Sequence, residues 1–216
     1  MKKHLGIFLS ALIAGFGLLP PSALAQPVAG RDFTVIEPAQ STEDPDRIEI
    51  IEFFSYACPH CNDLNPLIQS WVKELPRDVL FMRVPVSFNP FYELMAKLFY
   101  TLDMTGDLPR LDSALFSAIH EKRLQLVSEK SIGEWAVSQG VDARRFSEAW
   151  NSFSVNSKMK RADQMARNHR IQGVPAIVVD GRYLVGGKDL NELLKLTGQV
   201  IEKRRKERSA KPAAQK

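Results

Sequence analysis

The sequence of 216 residues has only two cysteines, Cys58 and Cys61, which stand three positions apart. A small secreted domain that depends on disulfides carries many more cysteines, and they tie distant parts of the chain together. A disulfide between Cys58 and Cys61 closes so short a loop that it restrains little chain entropy. The pair therefore predicts redox chemistry, with a purely structural disulfide as the weaker alternative.

Histidine is also scarce, which bears on metal binding. A structural zinc site needs four ligands, so the two cysteines would need two further side chains. His60, His120 and His169 are the candidates, and none of them is paired at the spacing of a zinc finger. The sequence therefore predicts no metal site.

Long apolar runs are absent beyond the first 25 residues. Residues 5–19 form an apolar run that follows Lys2 and Lys3 and precedes Ala23-Leu24-Ala25. A comfortable membrane span needs about 20 apolar residues, so this pattern predicts a secretory signal peptide, residues 1–25, cleaved after Ala25. An uncleaved anchor is the alternative. Export would place the protein where disulfides persist.

An excess of positive charge is missing from the body of the chain. The formal net charge of +4 comes from the ends, since residues 203–216 hold seven basic residues and one acidic residue. This basic stretch lacks interleaved aromatic residues, so we expect no nucleic-acid binding; weak contact with anionic lipid is the alternative. Residues 207–216 are expected to form a disordered basic tail.

Hydrophobic periodicity divides the chain into three parts of an α/β fold. Residues 26–87 predict strand–helix–strand, with strands at 47–54 and 79–84 and a helix to about residue 75, and an additional short strand at 33–36 before them. Residues 88–168 are helical in pattern, with helix starts expected at Ser131, from a capping box with Glu134, and at Asp142. Residues 169–206 predict a strand, a hairpin turn at Asp180-Gly181, a second strand and a helix. The outer parts should form one sheet with helices on both faces, into which the helical part is inserted.

The Cys-x-x-Cys segment stands between a predicted strand and a predicted helix. Pro59 suits the first turn of a helix, so Cys58 should lie at the helix N-terminus. Unpaired N–H groups and the helix dipole favour an anion there and lower the pKa of the thiol. His60 is expected to stabilise the Cys58 thiolate more than any other side chain does, unless it is a solvated spectator.

The segment Phe53 to Cys61, which reads FFSYACPHC, resembles the active-site segment of the DsbA family of periplasmic thiol–disulfide oxidoreductases, and Gly173-Val174-Pro175 resembles that family's cis-proline loop. The resemblance implies a thioredoxin fold with an inserted helical domain. It also implies that Cys58 is the exposed nucleophile and Cys61 its buried partner. The Val174–Pro175 peptide bond is then expected to be cis and to face Cys58.

Two further positions follow from this resemblance. Glu52 matches the family's buried acid, which carries the proton for Cys61; the alternative is a glutamate at the sheet edge that faces water. Related sequences often have glutamate four residues after the second cysteine, where this chain has Asn65. The uncharged Asn65 does not supply the electrostatic role of that glutamate.

The implied activity is the introduction of disulfides into newly exported proteins in the periplasm. The expected partners are unfolded proteins with free cysteines and a quinone-linked inner-membrane oxidase of the DsbB type. The redox-active Cys58–Cys61 disulfide would replace any cofactor, and the protein is expected to be a monomer. The alternatives are a disulfide isomerase or reductase of the same fold, or a thioredoxin-fold binding module.

Overall fold

The computed structural model describes residues 26–210. The predicted signal peptide and its cleavage site lie outside the described residues, as do residues 211–216. Within the described part, no helix has both the length and the apolar character that a membrane span requires.

After the short strand β1, the elements follow the predicted order of strand–helix–strand, helices, then strand–strand–helix. They are β1 Phe33–Val35, β2 Ile48–Phe54, α1 Pro59–Lys73, β3 Val79–Pro85, α2 Pro90–Thr105, α3 Leu108–His120, α4 Glu129–Ser138, α5 Ala143–Trp150, α6 Phe153–Asn168, β4 Ala176–Val179, β5 Tyr183–Val185 and α7 Leu190–Ala210. The predicted mixed α/β fold is confirmed.

The strands form one sheet in the order β1-β5-β4-β2-β3. Strand β2 runs parallel to β3 and antiparallel to β4, with Ile50 opposite Phe81 on one side and opposite Val179 on the other. Every residue of β2 is buried, which agrees with its nearly continuous run of β-branched and aromatic residues. The C-terminal end of this buried strand points directly at the Cys-x-x-Cys segment.

Both faces of the sheet are covered by helices. Alternate residues of β2 point to opposite faces: Ile48 and Ile50 pack with residues of α1 and α7, while Ile51 and Phe53 pack with Ala162 and Ala166 of α6. A separate core cluster joins α2, α3, α4 and α5 around Phe54 and Tyr56. The helices between residues 90 and 168 therefore cover the end of β2 from which the cysteines follow.

One predicted helix start is wrong. Helix α4 begins three residues earlier than the expected capping box of Ser131 and Glu134, with Ser128 as its N-cap. The Ser128 hydroxyl accepts from the backbone N–H of Ser131, and the Ser131 hydroxyl lies 3.2 Å from the backbone nitrogen of Ser128. Serine thus fills the third position of the box, which is usually glutamate or glutamine. The predicted N-cap at Asp142 is confirmed, since its carboxylate accepts from Arg145 N–H.

The predicted start of a disordered tail at residue 207 is also wrong, because α7 continues to Ala210. Arg204 and Arg208 both pair with the carboxylate of Asp180, whose side chain is 2% exposed. The Tyr183 hydroxyl donates to Glu207 at 2.8 Å. Helix α7 thus binds the β4–β5 hairpin through two arginines at Asp180 and through Glu207 at Tyr183.

Burial of His169 makes stability depend on pH. Its side chain lies beside Phe53 and donates from Nδ1 to the Met165 carbonyl at 2.8 Å, while Nε2 is buried without a hydrogen-bond partner among the described residues. Burial lowers the pKa of His169 below its usual 6.5. The unfolded chain therefore takes up a proton near pH 6.5 that the folded chain resists, so stability is complete above that pH and decreases below it.

We predict that His169→Phe removes this pH-dependent loss. One proton changes the free energy of unfolding by at most about 1.4 kcal/mol per pH unit, and denaturant unfolding of the oxidised protein between pH 7 and pH 5 measures it. The oxidised form is used because its cysteines do not titrate. The exposed His60 offers a matched control, since His60→Ala should retain the wild-type profile. An unchanged profile in His169→Phe would contradict the prediction.

Candidate active site

Cys58 lies in the short connection between β2 and α1. Its backbone N–H donates to the Ser55 carbonyl at 3.1 Å, which closes a turn after the strand. Cys58 is the N-cap residue of α1 with φ −90° and ψ 119°, and Pro59 is the first helical residue. The sequence-based placement of Cys58 at a helix N-terminus and of Pro59 in the first turn is confirmed.

The two thiols differ in what surrounds them. Cys58 exposes 5% of its surface, whereas Cys61, one turn into α1, is fully buried. The expectation of an exposed nucleophile is therefore corrected: Cys58 is the more accessible cysteine, but it is nearly enclosed. Its thiol donates to the backbone carbonyl of Val174, with Sγ 3.3 Å from the oxygen.

The environment of Cys58 favours its thiolate. The Cys61 side chain makes the largest contribution, because its thiol donates a hydrogen bond to Cys58 sulfur; partial burial opposes it, and backbone groups of Cys61 and His60 assist. The charge of His60 contributes least, so the expectation that His60 has the largest effect of any side chain is wrong. Together they lower the pKa of Cys58 from 9.0 to about 6. Cys58 is thus mostly ionised at neutral pH when the pair is reduced.

Cys61 has the opposite tendency. Burial is the main cause that raises the pKa of the Cys61 thiol far above its usual value, and the neighbouring Cys58 and Glu52 raise it further. In the reduced pair, one sulfur therefore holds the negative charge and the other holds the proton. This asymmetry means that a thiolate formed at Cys61 needs a proton immediately.

The loop that precedes β4 faces Cys58. The Val174–Pro175 peptide bond is cis, as the sequence resemblance implied, and the Val174 carbonyl is the group that Cys58 contacts. Both residues are partly buried, and Val174 packs against the cluster that contains Cys58. Residues 116 positions apart in the sequence thus meet at the sulfur.

Glu52 lies on the central strand β2 and is completely buried, so the alternative of a water-facing glutamate is excluded. Its Oε2 accepts from Arg83 Nε at 2.7 Å, while Oε1 has no partner among the described residues. Burial raises the pKa of Glu52, and the charge and hydrogen bond of Arg83 oppose this. The Arg83 guanidinium also lies over the ring of Phe54, 3.8 Å from its centroid.

Sequence reasoning missed two side chains of α3 that reach this region. The Asp112 carboxylate accepts from Arg83 and, at 2.5 Å, from the Tyr56 hydroxyl. His120 Nε2 donates to the Tyr56 carbonyl at 2.7 Å. Helix α3 therefore holds both the side chain and the backbone of Tyr56, two residues before Cys58. Nothing in the local sequence of α3 pointed to these contacts, because they depend on how the helical part folds over β2.

Asn65 stands where related sequences often have glutamate. Asn65 is buried in α1 and joins its amide to Gln69 and to the Ser113 hydroxyl, at 3.3 and 3.4 Å. It is thus a neutral link between α1 and α3.

Among residues 26–210, no group of three or more histidine, cysteine or acidic side chains is arranged to hold a metal ion.

The two cysteines differ in pKa, lie at the N-terminus of α1 beside a cis-proline loop, and follow the central strand of the sheet. These features define a thioredoxin-fold thiol–disulfide oxidoreductase. Comparisons with known proteins identify the family within this class. Residues 68–197 match the sequence model described as "DSBA-like thioredoxin domain".

Similar proteins cover nearly the whole chain. The thiol:disulfide interchange protein DsbA of Bordetella parapertussis is 38% identical over 201 residues, covering 91% of this chain and 95% of that protein. The DsbA of Pseudomonas aeruginosa is 32% identical and covers 92% and 96%. The crystal structure of the oxidoreductase DsbA from Xylella fastidiosa superposes with a TM-score of 0.80 at 31% identity, covering 84% of this chain and 100% of that one. The chain belongs to the DsbA-like thioredoxin family, and it is a disulfide-forming oxidoreductase.

The order of the causes that act on Cys58 yields a prediction. Replacing Cys61 by alanine removes the hydrogen bond that contributes most to the low pKa of Cys58. Cys61→Ala should therefore raise this pKa more than His60→Ala does. Ultraviolet absorbance of the thiolate across pH measures both variants and the reduced wild type, in which only Cys58 ionises near neutral pH. A larger effect of His60→Ala would show that the imidazole, and not the neighbouring thiol, is the main source of acidity.

Proposed function

We propose that this protein oxidises pairs of cysteines in newly exported proteins, with Cys58 as the nucleophile and Cys61 as its partner. The observation that carries the proposal is the low pKa of Cys58, about 6, beside the strongly raised pKa of Cys61. A stabilised thiolate favours the reduced enzyme, so the disulfide form is a strong oxidant. A pair with an ordinary Cys58 thiol would favour a reductase instead.

The reaction begins with the Cys58–Cys61 disulfide. A substrate thiolate attacks Cys58 sulfur, the bond to Cys61 breaks, and Cys61 leaves as a thiolate that takes up a proton. A second substrate thiolate then attacks the substrate sulfur of the mixed disulfide, and Cys58 leaves as a thiolate. Two electrons pass to the enzyme and one disulfide forms in the substrate; of the two substrate thiol protons, one replaces the proton taken up by Cys61 and one goes to solvent.

Glu52 is proposed to carry the proton for Cys61. It is buried, it raises the pKa of Cys61, and its free Oε1 can hold a proton while Oε2 remains bound to Arg83. A protonated Glu52 donates when the disulfide opens, and an ionised Glu52 accepts when the pair is oxidised again. A raised pKa suits this task, because a group that both gives and takes a proton works best near the ambient pH.

Pro59, His60, Val174 and Pro175 are proposed to shape the surroundings of Cys58. Pro59 starts α1 so that free N–H groups point towards the sulfur, and the charge of His60 adds to their effect. The backbone of Val174 is placed to pair with an extended substrate segment. Pro175 has no N–H that could compete for the sulfur.

The proposed setting is the periplasm, after removal of residues 1–25. The support is the apolar run behind two lysines and membership of a family that forms disulfides. A quinone-linked membrane protein of the DsbB type is the proposed partner that oxidises the pair again. The protein is proposed to act as a monomer without metal, organic cofactor or nucleic acid.

The oxidant character can be tested by stability. The Cys58 thiol has a pKa of about 6 in the folded protein against 9.0 unperturbed, so its contribution is complete above pH 9 and is lost as pH falls through 6. We predict that the reduced protein is more stable than the oxidised one by about 1–2 kcal/mol at pH 7.5, after allowance for solvent screening, and that this difference shrinks towards pH 5. Denaturant unfolding of both forms measures it.

A redox titration of the Cys58–Cys61 pair supplies a second test, because it measures the reduction potential. The potential should lie nearer about −120 mV than the value of about −270 mV that is typical of thioredoxin. An oxidised form that is more stable at every pH, together with a thioredoxin-like potential, would identify a reductase and contradict the proposal.

Pro175→Thr is predicted to leave Cys58 reactive but to hold the mixed disulfide longer, because threonine brings an N–H and a hydroxyl beside the sulfur. Extracts with this variant should show covalent complexes on a non-reducing gel that disappear with reductant. Pro175→Thr combined with Cys58→Ala is the matched control and should trap nothing. Equal trapping by the wild type and Pro175→Thr would reduce Pro175 to a structural residue.

A further inference from the structure

Arg83 serves two carboxylates at once. Its Nε donates to Glu52 Oε2 at 2.7 Å, and its Nη1 donates to both carboxylate oxygens of Asp112 at 2.8 and 2.9 Å. Glu52 comes from β2 and Asp112 from α3, so the contact joins the sheet to the helical part. Two ionised carboxylates around one guanidinium leave an excess negative charge in a poorly hydrated site, and this favours protonation of one of them.

The surroundings decide which carboxylate holds the proton. Asp112 accepts further hydrogen bonds from the Tyr56 hydroxyl at 2.5 Å and from Gln69 Nε2 at 3.2 Å, and its side chain is 13% exposed. Glu52 has Arg83 as its one described partner and is completely buried. Glu52 has fewer hydrogen-bond donors than Asp112 and no exposure to water, so the proton belongs on Glu52.

We propose that Asp112 is a positioning residue for proton transfer to Cys61: by sharing Arg83, it keeps Glu52 able to hold a proton at neutral pH. This inference rests on the proposed role of Glu52 and extends it to the helical part of the chain. The described hydrogen-bond partners of Asp112 are Tyr56, Gln69 and Arg83, and not the cysteines. Asp112 therefore acts through the charge of Arg83.

The step itself is a proton transfer coupled to disulfide opening. The substrate thiolate forms a bond to Cys58 sulfur, the Cys58–Cys61 bond breaks, and its electron pair leaves with Cys61. The Glu52 carboxylic acid gives its proton to the Cys61 thiolate and becomes a carboxylate, which Arg83 holds. The described groups that bear on the charge of Glu52 are Arg83 of β3, Asp112 of α3, Tyr56 after β2 and Cys61 of α1.

Asp112→Asn tests the inference because it removes the charge and keeps the shape. Arg83 then serves Glu52 alone, so the ionised form of Glu52 is favoured and its titration moves to lower pH. Carbon-13 NMR of the oxidised protein with labelled glutamate measures this titration, with Glu52→Gln to assign the signal. Oxidation of a reduced two-cysteine peptide at pH 7.5 should slow by at least about threefold, since less Glu52 carries a proton.

The controls separate this effect from a general change in charge or folding. Asp103→Asn removes an equal charge from a surface pair with Lys158 and should leave the Glu52 titration unchanged, while Asp112→Glu should keep the wild-type values. Adding Asp112→Asn to Glu52→Gln should cause no further slowing. An unchanged Glu52 titration in Asp112→Asn, or a further slowing in the double variant, overturns the inference.

A second variant covers the case in which Asp112→Asn does not fold. Tyr56→Phe removes one hydrogen-bond donor from Asp112, whose carboxylate then interacts more strongly with Arg83. Arg83 therefore stabilises the Glu52 anion less, and the Glu52 titration should move to higher pH. No movement overturns the inference. The wild type tests the proposed function separately. If it fails to oxidise the peptide, the proposed function fails, whereas an active wild type with an unresponsive Glu52 refutes the role of Asp112 alone.

Discussion

The buried guanidinium of Arg83 connects the parts of this molecule that carry the chemistry. It binds Glu52 on the central strand, binds Asp112 on α3, and lies over Phe54 at the end of β2. A charged group that is removed from water is tolerated when partners and hydrogen bonds compensate it. The packing of α3 against the sheet is therefore tied to the ionisation of Glu52, whose charge raises the pKa of Cys61.

The opposite tendencies of the two cysteines follow from one turn of helix. Cys58 stands before the first N–H groups of α1, where an anion is stabilised, whereas Cys61 points into a core that excludes water. Because the thiol of Cys61 donates to the thiolate of Cys58, this hydrogen bond lowers the pKa of Cys58 and raises the pKa of Cys61. The low pKa of Cys58 thus depends first on the thiol of Cys61 and then on the backbone geometry at the start of α1.

Local sequence patterns predicted the structural features that depend on residues close together in the sequence. The order of the elements, the position of Cys58 and Pro59 and the hairpin at Asp180 follow from periodicity, proline and turn chemistry, while the cis bond at Pro175 came from family resemblance. The end of α7 was missed because it depends on the distant Asp180. Arg83 was missed for the same reason: its partners lie 31 and 29 residues away, on a strand and on a helix whose packing no local pattern reveals.

The helical part of the chain is consequently more than a cover for the sheet. Its helix α3 supplies Asp112 to the side chain of Tyr56 and His120 to the backbone of the same residue, and Tyr56 lies within the turn from Ser55 to Cys58. A change in the packing of α3 would therefore move the active-site backbone and alter the charge around Glu52 together. The inserted helices and the sheet form one electrostatic unit, so the redox properties of the cysteine pair cannot be assigned to the sheet and α1 alone.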